Sequence, residues 1–94
     1  MDKRYGIEIY QAGSLRDVRI TFEFDTPPML PRIGDTMTTA GWPDEQHGEY
    51  LEVVHVTHVV WEGPQGQSKQ KAMIYTKRVR AEEISQIVTA SRRG

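Results

Sequence analysis

The sequence predicts a small, mainly β domain: a five-stranded antiparallel, strongly bent sheet or small barrel, followed by a C-terminal α-helix. Three observations predict it. The run Tyr50–Glu62 is long, rich in β-branched and aromatic residues, and free of Gly and Pro. Val18, Ile20, Phe22 and Phe24 alternate with Arg19, Thr21, Glu23 and Asp25, so one face is buried and the other wet. Only the last segment changes period: Ala81, Ile84, Ile87 and Val88 share one helical face.

The first strand is predicted over residues 5–11, where Tyr5, Ile7 and Ile9 lie on one side. Ala12-Gly13-Ser14 turns the chain into a second strand over 16–25, and so short a connection requires an antiparallel hairpin. Phe22 and Phe24 are both expected in the core. Pro27, Pro28 and Pro31 end the strand, since none donates to a ladder. At Pro31-Arg-Ile-Gly-Asp35, Gly34 can take a positive φ and Asp35 can accept from nearby amides, giving a turn into a short strand over 36–40.

A polar loop, Gly41–Glu49, precedes the fourth strand, 50–62. Both faces of that strand carry apolar residues in its middle, which a regular one-sided strand does not show; a bend or bulge reconciles the two halves. Gly63–Ser68 returns the chain into a fifth strand over 71–79. The helix is predicted over 81–92, with Glu82 and Glu83 in its first turn and Arg92 and Arg93 near its end, matching the macrodipole.

The 94 residues fit one domain, 1–94, with a modest core. Without cysteine there are no disulfides, no thiolate metal sites and no thiol nucleophiles. The opening Met-Asp-Lys-Arg-Tyr-Gly enters a strand pattern with no apolar leader, and no apolar stretch approaches the roughly 18 residues of a membrane span. A cytoplasmic protein is expected. Residues 1–62 carry a net charge of −6 and residues 63–94 a net charge of +5, so the chain is either a bipolar molecule or one whose interleaved strands average the asymmetry.

The combination of Leu30-Pro-Arg-Ile-Gly-Asp35, a short strand, a loop and then Tyr50-x-x-Val53-x-x-Val56-x-His58 resembles small bacterial and phage-encoded proteins with SH3-like barrels. The resemblance covers residues 30–79 and implies a fold type. The acidic and aromatic signature of proline-peptide recognition is missing, so that activity is not implied. Gly34-Asp35 and Gly48 also follow the order of a KOW motif, but the intervening loop is longer and more acidic here.

No motif specifies a reaction or a cofactor: there is no nucleophile elbow, phosphate-cradling Gly loop or His-Glu-x-x-His helix. No catalytic residue is assigned, and the chain is not expected to be an enzyme. His55 and His58, three apart on a regular strand, point to opposite faces and cannot share a metal ion. No metal or other cofactor is expected. Trp42, His47 and Tyr50, in and after the polar loop, are the candidate partner-binding residues; Trp42 has the alternative of folding back beside Pro43 onto the core.

The expected function is therefore a non-catalytic protein-interaction or assembly module, and the resemblance adds a phage or mobile-element origin. The partner is another protein or a second copy, with a homodimer favoured over a monomer. Two other readings compete: a nucleic-acid-binding barrel and a small-ligand binder or enzyme. The first would use Lys69, Lys71, Tyr75, Lys77, Arg78 and Arg80. Against it, the chain is acidic overall, and lysines beside a hairpin also protect an exposed sheet edge.

Overall fold

The computed structural model describes residues 4–85. Five strands form: β1 (Tyr5–Tyr10), β2 (Val18–Phe24), β3 (Thr36–Thr38), β4 (Tyr50–Glu62) and β5 (Ser68–Val79). They make one strongly curled sheet, a half-barrel, in the order β2-β1-β5-β4-β3. A short helix, α1, covers 81–85. The rest of the helix predicted over 81–92, including Ile87 and Val88, lies outside the described residues. No helix among the described residues is long and apolar enough to cross a membrane.

The sheet is mixed, which corrects the antiparallel expectation. β1 and β5 run parallel, from Tyr5 opposite Gln70 to Ile9 opposite Ile74. A tight turn dictates antiparallel pairing only between strands adjacent in sequence. That rule holds for the β1–β2 and β4–β5 hairpins, but no local signal sets the sense of two strands so far apart.

The bend expected in β4 is a bulge. Val53 lies opposite Thr76 and His55 opposite Tyr75, which leaves Val54 as the inserted residue. The insertion swaps the alternation. Leu51 and Val53 enter the core before it, and Val56 packs on the core after it. Both halves of an apparently two-faced strand thus serve one core.

That core is Ile7, Ile9, Val53, Ala72 and Ile74. Phe22 and Phe24 pack against it but are only half-buried, contrary to the expectation of full burial. Their strand is the edge of an open half-barrel, so no further strand covers their outer side. The turn before β3 is as predicted. Gly34 has φ +94°, its N–H donates to the Val53 carbonyl at 2.8 Å, and the Arg32 N–H donates to Asp35 Oδ2 at 2.8 Å. A side chain at residue 34 would be strained by that φ.

Candidate interaction surface

Strand ends and loops place the residues that reasoning on the sequence singled out on three different surfaces. The first is the loop between β3 and β4. Its neck is tied by Thr39, which is buried: the Thr39 N–H donates to the Glu49 carbonyl and the Glu49 N–H to Thr39 Oγ1, both at 3.0 Å. The loop then reaches across the open side of the half-barrel to β2. A second bulge explains how. Ile9 lies opposite Ile20 but Tyr10 lies opposite Val18, so Arg19 is the extra residue on β2. A bulge re-aims its side chain. Here the Arg19 guanidinium meets Glu45 Oε2 at 2.9 Å and sits 5.5 Å from the centre of the Trp42 ring. Trp42 also meets Phe22 edge-on, with ring centres 6.2 Å apart.

Trp42 therefore packs on the core side, whereas His47 and Tyr50 are exposed. Reasoning on the sequence did not pair Arg19 with Glu45, because a contact across 26 residues leaves no periodic trace.

The Arg19 hydrogen bond holds the Glu45 carboxyl below its ordinary value of 4.5. A carboxyl with a lower pKa folded than unfolded adds stability above its unfolded value, and that stability is lost as pH falls through the folded value. Thermal melts from about pH 6 to about pH 3 should show a steeper acid loss for the native chain than for Glu45→Gln. Parallel curves would remove the Arg19–Glu45 pair from the account.

The second surface is the convex face of the sheet. Lys69, Lys71, Tyr75 and Lys77 alternate along β5 and share that face. Lys71 lies between β1 and β4 in the middle of the sheet, so it does not guard an edge as the sequence suggested. Two of the three lysines have carboxylate neighbours: Lys71 lies 3.4 Å from Glu8, and Lys77 4.0 Å from Glu52. Arg78 meets Glu49 at 3.0 Å and Arg80 meets Glu83 at 3.3 Å. The basic end of the sequence is interleaved with its acidic part.

Tyr75 stacks on Tyr10 with ring centres 4.7 Å apart and lies 5.7 Å from the His55 ring. One of its faces is thus already covered. Burial, then the nearby Glu8 charge, raises the Tyr10 hydroxyl above its ordinary 10.0 and keeps it neutral. Where β1 has Gly6, the convex face opens into a groove of about 280 Å³, bordered by Arg4, Glu8, Glu23, Trp61, Lys69 and Lys71. Its charges are mixed, and Glu8–Lys71 lies within it.

The third surface is the arm formed by the far halves of β4 and β5. β3 pairs only with Tyr50–Glu52, and the Gly34–Asp35 turn extends that pairing to Val53. Beyond Val53, among the described residues, β4 has β5 on one side and no strand on the other. This arm exposes Val60 (66%), Trp61 (42%) and Val54 (41%). His55 faces Tyr75 on the convex side. His58, opposite Ala72, lines a small hollow with Pro28 and Leu30. The bulge precedes both histidines, so they remain on opposite faces. Among the described residues, no three His, Asp or Glu side chains are grouped to hold a metal ion.

Reasoning on the sequence assigned none of Val54, Val60 and Trp61 to a binding surface. The available signal was the absence of any charge between Glu52 and Glu62. The chain matches no protein-family model, no curated protein and no solved structure.

Proposed function

We propose that this chain is a non-catalytic protein-interaction or assembly module that works through the β4–β5 arm. The supporting observation is the pairing of exposed Val54, Val60 and Trp61 with an open strand edge. An open edge supplies directional backbone hydrogen bonds, and apolar side chains beside it supply burial on contact, the two ingredients of strand addition. The cytoplasm suits a cysteine-free chain. The likeness of Leu30–Asp35 and Tyr50–His58 to small phage-encoded barrels supports a role in a phage or other mobile element.

The nucleic-acid reading is weaker because Lys71, Lys77, Arg78 and Arg80 each have a carboxylate neighbour. Phosphate would compete with those carboxylates for the same cations. A benzophenone amino acid at position 60 tests the reading in cells that express the protein naturally. Irradiation should give a discrete adduct that is destroyed by protease and untouched by nuclease. A nuclease-sensitive adduct, or none, would overturn the assignment.

A further inference from the structure

We infer that the free edge of β4 pairs antiparallel with the same edge of a second copy, joining two half-barrel sheets into one ten-stranded sheet. The inference rests on the interaction reading above and names its partner. The two edges of the sheet are unlike. β2 carries Arg19 and Glu23, a bulge, and prolines just after its end, all features that discourage pairing between chains. The open part of β4, Val54–Glu62, has no Lys, no Pro and no charge before Glu62. At ~3.3 Å per residue its nine residues give an edge of about 30 Å.

The backbone directions follow from hydrogen bonds at both ends. The Val53 N–H donates to the Asp35 carbonyl and its C=O accepts from Gly34, so the Val53 backbone faces the β3 side. At the other end the Gly63 N–H donates to Gln67, so Gly63 faces β5. In an antiparallel ladder these directions alternate. Counting back from Gly63, the groups of residues 61, 59 and 57 face β5, and those of Glu62, Val60, His58 and Val56 face the open edge. Val53 and Val56 then face the same way three residues apart, which requires one inserted residue between them. The bulge at Val54 is that residue.

A two-fold axis perpendicular to the sheet keeps each face on its own side, so residues of equal parity must pair. His58 is the midpoint of the opening that runs from the bulge at Val54 to Glu62 at the hairpin. With the axis at His58, Val56 pairs with the partner's Val60, and His58 with the partner's His58. All three residues point their backbone groups outward, so the ladder closes with two bonds at each of three pairs. On the same register Thr57 meets the partner's Val59 and His55 meets the partner's Trp61. These are β-branched and aromatic cross-strand pairs, and none brings two carboxylates or two lysines together. The Gly34–Asp35 turn limits one end and the hairpin loop limits the other, so the match fills the opening without overlap.

Sedimentation equilibrium and amide exchange on the full chain test this. The mass should rise from 10.8 kDa toward twice that value with concentration. The amides of Val56, His58 and Val60 should gain protection over the same range. His58→Lys and His58→Glu should each weaken association by at least about tenfold, because each places like charges across the axis. Mixing the two variants should restore a heterodimer, since the opposite charges then face each other, and a loss of folding could not produce that rescue. A monomer up to about 1 mM, edge amides protected independently of concentration, or a dimer indifferent to residue 58 would each overturn the inference. If the chain is monomeric while position 60 still crosslinks to a different protein, the interaction reading stands and only the self-pairing fails.

Discussion

Ile74→Ala is expected to cost about 2–5 kcal/mol, a large share of the roughly 5–15 kcal/mol that holds a small domain folded. Ile74 is 0% exposed and lies mid-sheet, opposite Ile9 on β1 and Val56 on β4. Ladders fix the strands on both sides, so they cannot close on the space a truncated side chain leaves. The cost should therefore include a cavity contribution as well as lost burial. A urea titration should show a lower midpoint with an unchanged slope, the mark of a stability change without a change in the denatured state. A loss below about 1 kcal/mol would mean that β5 is not the centre of the sheet.

Ile74 lies where the sequence was least informative about the sheet. Alternation identified the first two strands, turn residues and β-branched composition the other three, and the run Tyr50–Glu62 was placed with its observed ends. The doubled apolar pattern of that run signalled a bend, now seen as the bulge at Val54. Strand order was not legible, because alternation says which face of a strand is buried but not which strands flank it. Hence Phe22 and Phe24, on the clearest alternation, looked like the core, yet β2 is an edge and they are half-buried. Ile74 sat in a short, less regular run and became central through the parallel β1–β5 pairing. The same gap affected the candidate sites. The β5 lysines looked like edge guards or phosphate ligands until their carboxylate neighbours came from Glu8, Glu49 and Glu52, which are remote in sequence.

Phe22 and Trp42 should be energetically coupled, and the coupling tests how the open half-barrel is closed. β2 ends the sheet at one edge, and the β3–β4 loop comes back to it without strand pairing. The connection is made by side chains: Trp42 edge-on to Phe22 at 6.2 Å, under Arg19, which Glu45 holds at 2.9 Å. Because Phe22 is half-buried, Phe22→Ala should cost about 1–3 kcal/mol, less than the 3–5 of a fully enclosed ring. Trp42→Ala should cost at least as much, since it also removes the surface beneath the Arg19 guanidinium, an interaction of about 0.5–1 kcal/mol at an accessible site. In a double-mutant cycle the two losses should fall short of additivity by about 0.5–1.5 kcal/mol, the range for an aromatic pair beyond its buried area. Tryptophan fluorescence during urea unfolding reads all four chains if the signal comes from Trp61 in the Trp42 variants. Full additivity would show that the loop only lies near β2. Coupling in the stated range would show that one aromatic pair joins the two ends of a sheet whose strands do not meet.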